Sequence, residues 1–335
     1  MSHSRVAQVN RELVQDRFDV VKNIDDADIV VLHFEPHNFA SIYEKYPVLR
    51  TKYVIGYCVW EASELPDSYK ASISHVQEIW TCSRYCCDIF ERHHPRVTYI
   101  PHIIERDISC SIADREYIRR IISFDPDIFY YLFITKLWDR RKNTRSLAMS
   151  FLGQRSIMPN ARLIIKADTQ DVAEDLLGDG IVYVREHLTH GQLNALYEIA
   201  NAYVSAHHSE GWGLTLSDAM MFGKPTIATG YSGNLEFMNE ENSLLLDFAE
   251  SYIKREDCFY LFQEHMRWAY PSEEDLGKKL SLLYFDRDSP AVRAKIQTAS
   301  ESIKRFNRAS VGRIVQCQIA AIVDSEYFSR QMSGS

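Results

Sequence analysis

Two stretches of this chain group side chains densely enough to do chemistry. The first is SAHHSEGWGLTLSDAMMFGKPTIATGYSGNLEF, residues 205–237. An apolar strand at 202–206 runs into Glu210-Gly211-Trp212-Gly213, and an apolar-periodic helix follows from Leu214 until Gly223-Lys224-Pro225 closes it. Glycines at 211 and 213 remove β-carbons where the helix begins. Free backbone N–H groups and the positive end of the helix dipole favour a phosphate at such a place. Thr215 and Asp218, three apart, share a helix face, so one suits a phosphate oxygen and the other a hydroxyl. A carboxylate is a poor partner for phosphate, so Glu210 and Asp218 beside an anion site fit a ligand that also carries sugar hydroxyls.

The second stretch is FITKLWDRRKN, 133–143, where Lys136, Arg140, Arg141 and Lys142 stand at the carboxyl end of an apolar strand. Cations fixed near a helix N-terminus can hold an anion and the charge that grows on it without a metal. Taken alone, a lone G-x-G is more often a plain turn, and a basic run is more often a solvated one. A metal that holds a diphosphate is commonly bound by an Asp-x-Asp at the end of a strand. The pairs Asp26/Asp28, Asp125/Asp127 and Asp286/Asp288 match those letters, but two precede strands and one follows a helix, which predicts turns or caps and no metal. The chain has no P-loop, strand-linked G-x-G-x-x-G, G-x-S-x-G elbow or H-E-x-x-H.

Short apolar strands alternating with helical stretches position these groups, the pattern of a parallel α/β architecture. In the first third, strands are expected at 28–34, 53–61, 78–83 and 97–102, with 18–21 as a further candidate, and helices at 69–76 and 85–94. A helix around 114–123 leads into a second series of strands at 128–136, 162–168, 181–184, 202–206, 226–229 and 243–248. After 270 three amphipathic helices are expected, at 273–285, 291–306 and 311–323. This predicts two Rossmann-like, doubly wound domains facing a cleft, with ligands beyond the carboxyl ends of the strands. The expected limits are 1–112 for a short first domain and 113–310 for a second, with a helix at 311–335 crossing back to the first.

Composition agrees with an ordinary globular protein of about two domains, at 335 residues with 46% hydrophobic and 25% charged. The net charge of −8 argues against broad capture of nucleic acid. No apolar run reaches the length of a membrane span, and the N-terminus lacks a signal-peptide core, which reads as cytoplasmic. Seven cysteines without a C-x-x-C give neither a disulfide nor a zinc framework, and Cys82, Cys86 and Cys87 are expected on one buried face.

The segment 205–237 resembles glycosyltransferase family 4, retaining sugar-nucleotide enzymes of the GT-B fold. The likeness rests on Glu210, Gly211, Trp212, Gly213, Leu214, Ala219, Met220, Gly223, Pro225, Ile227, Ala228, Thr229, Ser232, Gly233, Asn234 and Glu236. The family's second glutamate is Asp218 here, one methylene shorter. The resemblance implies a donor-sugar contact for Glu210, a ribose contact for Asp218, and a diphosphate clamp of Lys136 and Lys142, with Arg141 standing in if the register differs by one. It also implies donor contacts along Gly211 to Thr215 and at Glu236, and no cofactor beyond the nucleotide-sugar itself.

In the first third, VIGYCVWEASELP, then EIWTCS and VTYIPH, resembles bacterial members of the same family. Trp60 and Glu61 close a strand toward the expected cleft, where Glu61 is a candidate for the polar role that a histidine has in many relatives and is equally readable as an exposed loop acid. His33 and His37, flanking Glu35 and Pro36, are further candidates for a sugar or acceptor contact, each also readable as a structural histidine. The implied reaction moves a sugar from a UDP- or GDP-sugar to a hydroxyl of a saccharide, lipid-linked or protein acceptor, in polysaccharide or glycoconjugate synthesis, with room for peripheral membrane contact. A GT-B epimerase or phosphorylase and a non-catalytic binding subunit are the competing readings.

Overall fold

The computed structural model describes residues 2–168, 176 and 178–325, and the chain divides into two compact units. The first comprises 1–60, 64–105 and 305–335, the second 61–63 and 106–304.

In the first unit β1 (Ile29–Leu32), β2 (Tyr53–Tyr57), β3 (Glu78–Thr81) and β4 (Val97–Tyr99) form a parallel sheet in that order. β2 and β3 are buried along their whole length, as apolar strands covered on both faces are. Residues 18–21 are not a strand. There the chain turns out of the helix Ser2–Val14, with the Phe18 N–H bonded to the Val14 carbonyl, and Val21 stays exposed. The helix Arg84–Phe90 starts at Ser83, whose hydroxyl accepts from the Cys86 N–H, and it buries Cys86 and Cys87 close to Cys82. All seven cysteines are free.

A buried carboxylate organises this unit. Glu78 on β3 accepts from Tyr53 (3.0 Å), Trp80 (2.8 Å), Thr98 (2.6 Å) and Gln318 (2.8 Å). Such a group is tolerated inside because its lone pairs are filled. Gln318 lies on the C-terminal helix Arg308–Val323, which also packs on Ser2–Val14 through Gln316 and Arg308.

The second unit holds β5 (Phe129–Thr135), β6 (Ala161–Ala167), β7 (Ile181–Val184), β8 (Ala202–Ser205), β9 (Thr226–Thr229) and β10 (Leu244–Leu246). They form a parallel sheet in the order β10-β9-β8-β5-β6-β7. Tyr131, Phe133, Val204 and Ile227 fill its core against Leu147, Phe151 and Leu280 from the flanking helices. The order reverses between β5 and β8, and in sheets of this kind ligands bind beyond the carboxyl ends of the strands at such a reversal. The strand expected at 243–248 breaks after Leu246, and β11 (Phe248–Tyr252) pairs antiparallel with β12 (Arg267–Pro271) as a separate hairpin. Among the described residues no helix is long and apolar enough to cross a membrane.

Candidate active site

The loops leaving β5 and β8, the strands on either side of the reversal, are laced together. Lys142 ends a short turn at Arg140–Lys142, and Asn143 follows in the left-handed region at φ 52°, its amide donating to the Ala206 carbonyl at 2.9 Å. The His208 N–H donates to the Arg141 carbonyl at 2.8 Å. Across this seam Arg141 donates through Nη1 to the Ser209 carbonyl (2.6 Å) and to Glu210 Oε2 (3.1 Å), and through Nη2 to Asp139 Oδ2 (3.0 Å). Lys142 Nζ donates to the other oxygen of Glu210, and Glu61 Oε1 stands 3.8 Å from Arg141. The two cationic residues beside Glu210 are thus Arg141 and Lys142.

Charge decides the state of this cluster. Burial pushes the Glu210 carboxyl up, but Lys142 and Arg141 outweigh it and hold the group at about 2. Burial opposes the Arg141 charge as well, yet Asp139, Glu61 and Glu210 overcome it and raise that guanidinium above its ordinary value. Two cations therefore share three carboxylates.

The glycine turn is braced from behind by residues 232–234. The Glu210 N–H donates to Ser232 Oγ at 2.7 Å, and the Gly233 N–H to the Glu210 carbonyl at 2.8 Å. A β-carbon on Gly233 would stand 2.0 Å from the Gly211 oxygen, a backbone collision that only glycine avoids. Asn234 donates to the Thr229 carbonyl, so its oxygen is left to accept from His207 Nε2–H at 3.2 Å, while His207 Nδ1 accepts from Ser205. Burial drives His207 down to about 4, so it sits neutral in this chain of bonds. Gly213 precedes the helix Leu214–Met221 with φ +92°, and its carbonyl takes both the Leu216 and Ser217 N–H groups.

The structure places the other expected donor contacts as follows. Leu214 opens that helix, half-buried, and Glu236 ends the turn Gly233–Glu236, also half-buried. Trp212 is buried against Phe237, with ring centroids 5.2 Å apart, and so packs the turn. Thr215 is half-buried, and its carbonyl accepts from the Tyr197 hydroxyl at 3.1 Å. Asp218 forms an ion pair with Arg106 at 3.2 Å, both side chains almost fully buried. Arg106 also lies against the rings of Phe222 and Tyr197 and reaches His190. Lys136 is exposed over the Trp138 ring, 5.4 Å from its centroid, and among the described residues its ammonium makes no hydrogen bond or ion pair.

Glu61 joins the Arg141 cluster, but Trp60, His33 and His37 belong to the first unit. β2 ends at Tyr57, so Trp60 lies beyond the strand. It is buried, its indole N–H donating to the Glu64 carbonyl at 2.6 Å and its ring meeting Tyr69 edge-on. His33 stacks on Tyr57 at 4.9 Å, and His37 on Tyr69 at 5.8 Å. Sequence reasoning missed Asp139, Arg106 and His207; only His207 carried a signal, as half of a His-His pair just before Glu210.

The three Asp-x-Asp pairs lie outside this cluster. Asp26 ends a short turn, Asp125 accepts from the Asp127 N–H ahead of β5, and Asp286 is the last residue of the helix Glu273–Asp286. A cavity of about 500 Å³ between Asp127 and Tyr284–Ser289 opens at the amino end of β5, the wrong end of the sheet for the crevice.

Two parallel α/β units, the second with paired loops at its strand-order reversal, define a GT-B fold. The family model for glycosyl transferases group 1 matches residues 160–252, which include Glu210 through Glu236. The fold is shared with Anabaena HepE, solved with UDP and glucose, at a TM-score of 0.67 and 13% identity over 96% of this chain and 83% of that one. Sucrose-phosphate synthase from Thermosynechococcus elongatus aligns at 0.64 and 14% identity, over 99% of this chain and 79% of that one. The pneumococcal O-GlcNAc transferase GtfA, solved with UDP and GlcNAc, aligns at 0.61 and 14% identity, over 96% of this chain but 61% of its own. No curated protein sequence matches the chain.

Proposed function

We propose that this protein is a retaining, metal-independent glycosyltransferase that moves a sugar from a nucleoside-diphosphate donor to an acceptor hydroxyl. One observation carries the reading: the Arg141–Lys142 cations and the Glu210–Gly213 turn meet at the carboxyl ends of β5 and β8, the place where such sheets bind phosphates. The donor diphosphate lies across the turn ahead of Leu214–Met221, and Lys142 shifts to it from Glu210. Lys136 is the cation free to close on the second phosphate. Glu210, kept ionised, accepts from hydroxyls of the donor sugar, and Glu61 orients Arg141. Charge growing on the leaving diphosphate strengthens each of these contacts, which is what lowers the barrier. No side chain forms a covalent bond in this scheme; the leaving phosphate takes the acceptor proton on the face where the new bond forms.

UDP is the first donor base to test, since two of the fold relatives were solved with it. The acceptor is a saccharide or a lipid- or protein-linked one, and peripheral contact with a membrane is compatible with it. The Asp218–Arg106 ion pair favours a second reading, a binding subunit without turnover, because it engages the carboxylate expected at the ribose. Thermal-shift titration with UDP- and GDP-sugars, then donor hydrolysis with and without chelator, separates the two. Stabilisation with chelator-resistant turnover and retained anomeric configuration supports the transferase. Stabilisation without turnover supports the subunit, and no stabilisation by any sugar nucleotide refutes both.

A further inference from the structure

β12 pairs with β11 along one edge, and its other edge is taken by two segments that carry the charge cluster. In an antiparallel ladder, residues whose backbones face the partner alternate with residues whose backbones face away. The Ile253 N–H donates to the Met266 carbonyl at 2.8 Å and the Ser272 N–H to the Asp247 carbonyl at 2.7 Å, one bond at each end of the paired register. Trp268 and Tyr270 therefore face β11, while Arg267 and Ala269 face outward. Both outward residues use both of their backbone groups. The Arg267 carbonyl accepts from the Ser63 N–H at 3.0 Å, and the Arg267 N–H donates to Ser63 Oγ at 2.8 Å. The Ala269 N–H donates to the His208 carbonyl at 3.0 Å, and the Ala269 carbonyl accepts from His208 Nδ1–H at 2.7 Å. The His208 ring is gripped by the alternate side chains, stacked on Trp268 at 4.7 Å and tilted against Tyr270 at 4.7 Å.

Residues two apart on one strand lie about 7 Å from each other, so this edge sets Ser63 and His208 side by side. Each is tied to one member of the Glu61–Arg141 pair. Ser63 follows Glu61 by two residues, with Ala62 fully buried between them, and residues 61–63 pack with the second unit. The His208 N–H donates to the Arg141 carbonyl at 2.8 Å. Glu61 Oε1 then stands 3.8 Å from Arg141 Nη2, with 23% of the Glu61 side chain exposed. An ion pair of that length on a partly open glutamate is weak against the freedom of the side chain, so its geometry depends on how firmly the backbone beneath it is held. We infer that Ser63, clamped to the outer edge of β12, is a positioning residue that holds Glu61 against Arg141.

The Arg267 side chain turns the other way, 3.5 Å from Glu250 and over the Tyr252 ring at 5.5 Å, both on β11. The clamp thus runs through the Arg267 backbone, and its side-chain atom is the Ser63 hydroxyl. That hydroxyl accepts at an exposed position, where water replaces it when it is removed, so its loss leaves the hairpin paired. The inference deepens the transferase reading and rests on it for any effect on turnover, but the placement of Glu61 can be read without turnover.

The test is a double-mutant cycle on the whole chain, with Ser63→Ala, Glu61→Gln and the two together, each read by urea midpoint and by donor turnover. Ser63→Thr, which keeps the oxygen, and Glu250→Gln, which removes the ion pair of the Arg267 side chain, are run beside it. The expected result is a kcat about tenfold lower in Ser63→Ala and in Glu61→Gln, with the double variant no lower than Glu61→Gln. Ser63→Thr regains most of the loss, and Glu250→Gln matches the unaltered chain. The urea midpoint of the double variant falls by less than the two single falls combined. Midpoint falls that simply add show a strut without influence on Glu61 and overturn the inference whatever turnover does. A Ser63→Ala kcat within about twofold of the unaltered chain, or a double variant lower than Glu61→Gln by the full Ser63→Ala factor, overturns it too. Absence of turnover in every protein with every sugar nucleotide, the unaltered chain included, refutes the transferase reading, and the urea cycle then decides whether Ser63 places Glu61.

Discussion

Removing the Lys142 ammonium tests the reasoning most directly, because that one group is assigned to Glu210 in the empty site and to the diphosphate in the filled one. Glu210 is held from an ordinary 4.5 down to about 2 in spite of its burial, which corresponds to about 3 kcal/mol in favour of the charged form. Lys142 is the larger of the two charges responsible, and Arg141 remains on the other oxygen. Lys142→Ala should therefore move the Glu210 carboxyl upward and cost about 1–3 kcal/mol of stability, the range for a lost charge-assisted bond. A protein of this size tolerates that and stays folded. Turnover should suffer far more, because the ammonium acts on charge that develops as the donor bond breaks: a loss of about 10²–10³-fold in kcat. The assay is nucleoside-diphosphate release from the donor that gives the largest thermal shift, with circular dichroism and urea titration confirming the fold. A kcat within about threefold of the unaltered protein, under 1 kcal/mol of barrier, would show that Lys142 does not meet the leaving phosphates.

Two other perturbations bear on the frame of the site. Burial holds His207 and His208 at about 4 against an ordinary 6.5, so the unfolded chain takes up protons before the folded one does. The stability this confers is complete above pH 6.5 and is lost as pH falls toward 4, by about 4 kcal/mol for both groups between pH 7 and 5. Urea midpoints at the two pH values should show that fall, and His207→Gln should remove about half of it; an unaltered slope in the variant would contradict a neutral buried histidine. Arg106→Met takes the counter-ion from a buried Asp218 and should cost about 3–5 kcal/mol, whereas Arg106→Met with Asp218→Leu should regain most of it. Equal urea midpoints for the single and double variants would show that the pair is not coupled.

Much of this protein was legible along the chain because its signals are local. Alternation of apolar strands with helices marked β5, β6, β7, β8 and β9, since strands covered on both faces need continuous apolar runs. Gly213 marked the turn ahead of the helix Leu214–Met221, where it takes a positive φ, and the spacing of Cys82, Cys86 and Cys87 marked them as buried residues. The candidate strand at 18–21 misled because a few apolar residues after a helix look the same whether or not a neighbouring strand is present to pair with them.

What the linear order could not settle is which charge meets which. Four cations in seven residues are equivalent on paper, and only the seam between the β5 and β8 loops turns Arg141 inward to Asp139 and Glu210 while leaving Lys136 and Arg140 in water. Arg106 reaches Asp218 across more than a hundred residues, and His207 reaches Asn234 across a helix and a strand. The hairpin beyond Leu246 likewise arises from pairing between distant segments. Backbone preference and periodicity act over a few residues, so the chain alone specifies elements and turns; electrostatic pairing acts through space, so the identity of each partner waits for the fold to bring it within reach.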